Sequence, residues 1–150
     1  MLKFTLKNMQ LFAEQAGRIN EVWLIAGSAA MTNATGAKCL GVDNATFAEL
    51  CNMLEITAFS DTHKKQLPGI KDTNFSFSGN IYTGDTTGQD ILIAGNSIFI
   101  GCYPQGTGVA SKQVQAFISS IEKKYDVAGK QTFSCTLACS GAPVVLPLRP

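Results

Sequence analysis

The chain has 150 residues and a mass of 16.0 kDa, a length that suits one domain, and 45% of its residues are hydrophobic, enough for a substantial core. Only 15% of the residues are charged, against about 25% in typical domains, and the net charge is +1 without a basic run or an acidic tail. This balance argues against a high-affinity nucleic-acid binder, which needs clustered cations, and favours self-association through a charge-poor surface.

No stretch of the sequence approaches the ~20 apolar residues that a membrane-spanning helix needs. The first residues, MLKFTLKNMQLF, contain lysines but neither a continuous apolar segment nor a cleavage site, so no signal peptide is expected. An odd number of cysteines without a secretion signal predicts reduced thiols in a cytosolic product, mostly buried as small hydrophobic residues. The cysteines are Cys39, Cys51, Cys102, Cys135 and Cys139.

Alternation of apolar and polar residues is the dominant signal along the chain and predicts half-buried strands, beginning with Leu2–Leu6 (LKFTL). The run Glu21–Gly27 (EVWLIAG) is apolar on both faces, so we expect a helix or a neighbouring subunit to cover it on each side. The segment NATFAELCNML permits a helix with Asn44 as its N-cap. The β-forming residues that follow favour instead a strand over Leu50–Phe59.

A long polar connection, Ser60–Asp72, follows this strand, and loops of that length in compact domains are commonly functional or disordered. The next strand, NFSFSGNI, places Phe75, Phe77 and Ile81 on one face and polar residues on the other. A short helix is predicted in TTGQDILIAG. Its signals are a threonine cap at Thr86 or Thr87, Asp90 in the first turn and Gly95 at the end.

The last elements in chain order are strands. Ser97–Tyr103 (SIFIGCY) and, more mildly, Val114–Ile121 are apolar on both faces, and Gln131–Gly141 (QTFSCTLACSG) alternates. A glycine-containing hairpin loop is expected at Gly106–Gly108. Together these patterns predict a mainly β fold, an antiparallel β-sandwich or small barrel of seven or eight strands with one short helix, formed by a single domain over residues 1–150.

The candidates for chemistry all have simpler explanations. The single histidine, His63, lies in the charged loop, where a solvated role is expected. Cys135 and Cys139 are four residues apart, and the absence of a C-x-x-C motif makes buried structural cysteines the better interpretation. Asp85 and Asp90 suit turn and capping positions. We therefore predict no catalytic residue, no metal site and no cofactor.

Several motifs, taken in order, resemble the major tail tube proteins of long-tailed bacteriophages. A strand with Glu55, Ile56 and Thr57 (E-I-T) leads into a polar loop, then into Pro68–Asp72 (PGIKD). An alternating Ser/Phe strand ends in Ser78–Asn80 (SGN), and a turn with Gly88–Gln89 precedes the predicted helix. SIFIGCYPQGTG is similar to the strand and Pro-Gly hairpin of the family, and the last strands end in Ser140–Gly141 (SG). The resemblance covers about Ala48 to Gly141.

The resemblance implies a β-sandwich flanked by a helix, assembled as hexameric rings that stack into a hollow tube. In such a tube the inner sheets of the six subunits join into one continuous barrel, and DNA passes through without sequence-specific binding. The implied partners are further copies of the chain, the tail initiator or baseplate, the tape-measure protein and the tail terminator, with no membrane segment. The implied location is the virion tail, assembled in the host bacterial cytoplasm.

The resemblance also assigns roles to parts of this sequence, beginning with Gln89–Ala94, the segment expected to form a helix against the outer sheet. The ring-stacking loop comprises Ser60, Asp61, Thr62, His63, Lys64, Lys65, Gln66 and Leu67. Two polar strand faces would line the lumen without binding the phosphate groups of DNA. Their residues are Asn74, Ser76, Ser78, Thr132, Ser134 and Thr136. The apolar C-terminal residues expected to dock on a neighbouring subunit are Val144, Val145, Leu146 and Leu148. Family lumens are commonly acidic, so lumenal charge here would come from Glu55, Asp72 or Asp126.

Three alternatives stay open. A small β-sandwich binding or capsid-decoration module would share the alternation but would remain a monomer or a small closed oligomer. An enzyme would have to use Cys51 or His63. A tube protein of a type VI secretion system is a variant of the tail tube interpretation.

Overall fold

The computed structural model of the chain describes residues 20–103 and 111–148, and all seven strands in these ranges pair antiparallel in one sheet. Their order across the sheet is β2-β1-β5-β6-β7-β4-β3. The strands are β1 (Glu21–Ala26), β2 (Ala37–Lys38), β3 (Val42–Glu55), β4 (Gln66–Asn80), β5 (Ser97–Tyr103), β6 (Ser111–Lys124) and β7 (Thr132–Leu146). This confirms the mainly β, antiparallel prediction.

The main core lies between the two halves of the sheet, because the inward faces of β1 and β5 bury residues in the same cluster as those of β4, β6 and β7. A chain of edge-to-face aromatic pairs runs through it, from Phe47 to Phe75, Phe77 and Phe133, with ring centroids 5.9–6.1 Å apart. These residues occupy alternate positions of their strands, as the period-two pattern predicts. The sheet therefore curls over its own core, and it does not close into a barrel in the monomer.

A second core covers the outer faces of β1 and β5. Met31, Tyr103 and Leu146 are buried there, and Trp23 packs against Tyr103 edge to face at 6.3 Å. Gly101 allows this packing, because a Cβ at that position would lie 2.7 Å from a Leu146 methyl group. The outer faces of both strands are thus half-buried, and their cover comes from Met31 and Leu146 of the chain itself, whereas no helix covers them in the described residues.

A buried glutamine fixes the loop that forms this second core. The Gln113 side chain is 1% exposed, and its Oε1 accepts a hydrogen bond from the Met31 backbone N–H at 2.8 Å. Its Nε2 donates to the carbonyl oxygens of Met31 at 2.9 Å and Val145 at 3.0 Å. One side chain thus satisfies three backbone groups and ties the loop to the end of β7.

The predicted helix in TTGQDILIAG is wrong, because this segment contains only one 3-10 turn, Gln89–Ile91. The Asp85 carboxylate accepts hydrogen bonds from the backbone N–H groups of Gly88 and Gln89 at 3.0 Å each and of Leu40 at 2.8 Å. A Cβ on Gly88 would lie 2.2 Å from the Asp85 Oδ2. The carboxylate thus ties the turn to a distant loop instead of starting a helix.

Two strand boundaries also differ from the prediction. The strand predicted over Leu50–Phe59 begins at Val42 and ends at Glu55, since β3 pairs with β4 along its whole length, and a helix starting at Asn44 does not form. The long connection is shorter than predicted for the same reason, because Gln66–Asp72 belongs to β4. The strand predicted at Leu2–Leu6 and the hairpin loop at Gly106–Gly108 lie outside the described residues.

Candidate assembly surfaces

The polar residues predicted to share a face are cross-strand neighbours. Ser76 of β4 lies opposite Thr136 of β7, and Ser78 lies opposite Ser134. Asn74 and Thr132 extend the same face at its two ends. The structure therefore gathers all six residues on one side of the sheet, and the side chains between them, Phe75, Phe77, Phe133 and Cys135, point into the core.

The sequence interpretation missed the outer strands of this face. On β3, Asn44 pairs with Ser78 and Thr46 pairs with Ser76, so two more polar side chains continue the row. On β6, Ser120 pairs with Thr136. Asn44 and Thr46 alternate with the apolar residues Ala45 and Phe47 in the sequence, but the helix signals in the same segment led to no strand being predicted there. We call the side of β6, β7, β4 and β3 that carries these hydroxyl and amide groups the polar face.

Charges lie at one end of the polar face. Glu122 and Lys124 of β6 pair with Ser134 and Thr132, and with Asp43 they line a shallow depression of about 420 Å³. Of the predicted sources of lumenal charge, Asp72 is in β4 two residues before Asn74, Glu55 is near the tip of the β3–β4 hairpin, and Asp126 is in the turn between β6 and β7. Opposite charges at the rim leave the middle of the face neutral.

Two strand edges border the polar face and have no partner in the described part of the chain. β3 is the last strand of the sheet, so one side of its fourteen residues is open. β6 pairs with β5 only from Gln113 to Phe117, which leaves Ser119–Lys124 open on that side. Open edges present unpaired backbone N–H and C=O groups, which makes them templates for pairing with another chain.

The hairpin of β3 and β4 separates from β7 in its outer part, Glu49–Thr73, which we call the arm. The last β4–β7 pair is Asn74 with Ala138, so Gln66–Thr73, about 26 Å of strand, pairs with β3 but not with β7, which runs on beside β6 to Leu146. Large apolar side chains are exposed on the arm: Leu50, Met53, Leu54, Ile56, Phe59, Leu67 and Ile70. So many exposed apolar groups in one hairpin mark an interaction surface.

The predicted ring-stacking loop forms the tip of the arm. Residues 60–65 belong to the connection, whereas Gln66 and Leu67 are in β4. Asp61 organises the tip, since its carboxylate accepts a hydrogen bond from the Ala58 backbone N–H at 2.8 Å and forms an ion pair with Lys65. The hydrogen bond from Lys65, and then that from Ala58, holds the pKa of Asp61 below its usual value. His63 is exposed.

The C-terminal residues divide into two groups. Val144, Val145 and Leu148 are 44%, 70% and 53% exposed, so they are available for a docking contact. Leu146 has no exposed surface because it packs in the second core beneath Gly101, and its predicted docking role is therefore wrong. The Tyr103 hydroxyl donates to the Pro147 carbonyl oxygen and holds this end against β5.

The cysteines are free thiols. Burial raises the pKa of Cys39 to about 12 and that of Cys135 to about 11, which makes both poor nucleophiles. Among residues 20–103 and 111–148, no group of three or more His, Cys, Asp or Glu side chains is placed to hold a metal ion. Within the same ranges no helix has the length and hydrophobicity required to cross a bilayer.

No family model matches the sequence, and no curated protein matches it. Solved structures do match its fold. A subunit from the tail of an empty gene transfer agent particle, refined with C6 symmetry, has a TM-score of 0.69 at 16% identity, covering 89% of this chain and 99% of its own. The SPP1 tail tube has a TM-score of 0.71 at 14% identity, covering 90% and 80%.

The likeness extends to contractile systems. A chain from the sheath–tube complex of the PVC extracellular contractile injection system has a TM-score of 0.59 at 12% identity, covering 97% of this chain and 99% of its own. Further neighbours come from the baseplate of the anti-feeding prophage and from its tube-terminating cap. These neighbours are parts of tails and injection systems, not enzymes. The chain has the fold of the tail tube proteins.

Proposed function

We propose that this chain is the structural subunit of a phage-like tail tube, in which hexameric rings stack into a hollow tube that delivers DNA. The subunit would act in the virion tail after assembly in the host cytoplasm. Its partners would be further copies of itself and the proteins that start, measure and terminate the tube. The fold shared with tail tubes and injection-system tubes supports the class of protein.

The observation that carries the proposal is the pair of open edges on either side of the polar face. If the open edge of β3 pairs with Ser119–Lys124 of the next subunit, the four strands β6, β7, β4 and β3 continue from copy to copy. With six copies, 24 strands about 4.8 Å apart at a tilt of about 40° would close into a barrel roughly 48 Å across. That width admits duplex DNA with room for side chains. Closure would also remove both open edges, which are otherwise sites of aggregation.

The chemistry of the polar face suits the passage of DNA. Protein–DNA affinity comes chiefly from cations that neutralise phosphates, and the middle of this face has none. Hydroxyl and amide groups such as Ser76 and Asn74 keep the surface hydrated without fixing the duplex. Lys124 at the rim lies on the same strand as Glu122 and contributes little net attraction. The channel would therefore guide DNA and release it.

Amide hydrogen exchange tests the lateral contact. We expect Val42–Cys51 and Ser119–Lys124 to gain protection when the monomer assembles, because their open N–H groups acquire strand partners. The internal control is Thr132–Ala138 of β7, which is already paired on both sides and should change little. Tubes that form without new protection in either edge would refute this joint. A chain that stays a compact monomer would favour the binding-module alternative.

A further inference from the structure

The two open edges beside the polar face run in opposite directions when copies stand side by side in a ring. The strands β6, β7, β4 and β3 alternate in direction, since each pairs antiparallel with the next. Cyclic symmetry gives every copy the same orientation along the axis. Because each copy contributes an even number of strands, β3 of one copy meets β6 of the next copy antiparallel. The direction of the joint is therefore fixed, and its register is the quantity to be determined.

Cross-strand pairs define a row of residues that crosses the subunit at right angles to its strands. Ser120 lies opposite Thr136, Thr136 opposite Ser76, and Ser76 opposite Thr46. In a barrel of tilted strands, this row meets the next copy at a shifted residue. Four strands about 4.8 Å apart at a tilt of about 35–45° give a shift of roughly 4.0–5.7 residues per copy. The shift must also be even, because an odd shift would place polar-face side chains opposite core-facing ones. A shift of four residues meets both conditions.

Bulges and existing strand pairs decide the direction of the shift. The longest regular stretch of β3 is Asn44–Cys51, with a bulge at each end, and β6 is regular from Ser120 to Lys124. A four-residue shift in one direction places Ser120–Lys124 opposite Thr46–Leu50, inside the regular stretch. The opposite shift would place Thr46 against Ala116, whose edge already pairs with β5. An unshifted register would run across the bulge that precedes Asn44.

Charge is compatible with the shifted register. β3 contains three carboxylates and no lysine or arginine, whereas Ser119–Lys124 contains two lysines and one carboxylate, a net charge of 2 − 1 = +1. No ion pair joins Lys123 or Lys124 to another residue within the described ranges. The shifted register places Lys123 diagonally from Glu49 of the next copy, on the same face, and puts no two like charges directly opposite each other.

We propose that β3 of each copy pairs antiparallel with β6 of the next copy in the register that places Thr46 opposite Lys124 and Leu50 opposite Ser120. The occupant of both open edges is thus a second copy of this chain. The bulge that follows Cys51 then marks the point at which the arm leaves the joint. This inference rests on the proposed tube and specifies the register of its lateral contact.

Two cysteine pairs that share Thr46→Cys test the register in the full-length chain. Thr46→Cys with Lys124→Cys places two thiols directly opposite each other, at a Cα separation of about 4.5–5.5 Å that a disulfide can span. The matched control, Thr46→Cys with Ser120→Cys, would be opposite only in the unshifted register. In the proposed register its two positions lie roughly 13 Å apart along the strands. All three native residues are exposed, and β4 and β7 separate them within one chain, so only contacts between copies cross-link.

A second pair, Leu50→Cys with Ser120→Cys, tests the same register at its other end, and both native residues are exposed. The unmodified chain, with its own five cysteines, gives the background. Samples are assembled under reducing conditions, checked by electron microscopy, oxidised and resolved on non-reducing gels.

We expect both proposed pairs to give a ladder of covalent oligomers that ends at six chains, with a cross-linked fraction about tenfold above the control and the background. Tubes in which the Ser120→Cys control cross-links as efficiently as the Lys124→Cys pair would overturn the register and leave the tube intact. Tubes in which no pair cross-links would overturn the contact between these two edges. Failure of the unmodified chain to form rings or tubes would overturn both the register and the proposed function.

Discussion

Replacing Gln89 by alanine should destabilise the chain substantially, because this side chain joins its own turn to Leu40 and to the end of β4. Its Nε2 donates to the carbonyl oxygens of Leu40 at 2.6 Å and Asn80 at 2.9 Å, and its Oε1 accepts from the Tyr82 N–H at 2.9 Å. Each hydrogen bond contributes about 1 kcal/mol, and backbone groups left unpaired in a buried site add to the cost. We expect the free energy of unfolding to fall by about 3 kcal/mol.

Urea unfolding of the monomer, followed by circular dichroism, measures this loss. For a chain of this size it corresponds to a fall in Tm of about 6–12 °C. Gln115→Ala is the matched control, because Gln115 is only partly buried and makes one long hydrogen bond, 3.4 Å to the Ser97 hydroxyl. If the two substitutions cost the same within about 0.5 kcal/mol, the central role assigned to Gln89 is refuted.

Three further predictions concern the core, the polar face and the thiols. Phe77→Ala should cost about 3–5 kcal/mol in denaturant unfolding, since the ring is 3% exposed and packs edge to face against two other phenylalanines; a cost below about 1 kcal/mol would contradict the packing described. Ser76→Lys should leave the unfolding free energy within about 0.5 kcal/mol but give assembled tubes a salt-dependent affinity for DNA, and unchanged DNA retention would argue against a lumenal position. The unfolding free energy should fall as pH rises above 9.0, because Cys39 and Cys135 keep their protons in the folded state at pH values where the unfolded thiols ionise; Cys39→Ala with Cys135→Ala should flatten that slope.

Periodicity predicted much of the sheet because each face of a strand meets a single environment. Ser97–Tyr103 matches β5 residue for residue, and the alternation around Phe75 and Phe133 correctly assigned core and polar faces. The pairing of Ser76 with Thr136 was not predictable from either strand alone. Register depends on contacts between segments that are distant in the chain.

The helix failed for a related reason. A threonine, an early aspartate and a closing glycine are helix signals when only neighbours are considered. In the structure Asp85 and Gln89 are both engaged with Leu40, which is more than forty residues earlier in the sequence. The exposure of the apolar residues of the arm likewise could not be predicted, because strand propensity does not distinguish a side chain that faces the core from one that faces a neighbouring subunit.

Electron microscopy of the purified full-length chain over a range of concentrations, paired with a sizing run, tests the central claim most directly. We predict rings with six-fold symmetry, or hollow tubes built from them, in proportions that rise with concentration. Particles that remain compact monomers at every concentration, even with tail initiator proteins added, would contradict the assignment of the open edges and the polar face to a tube.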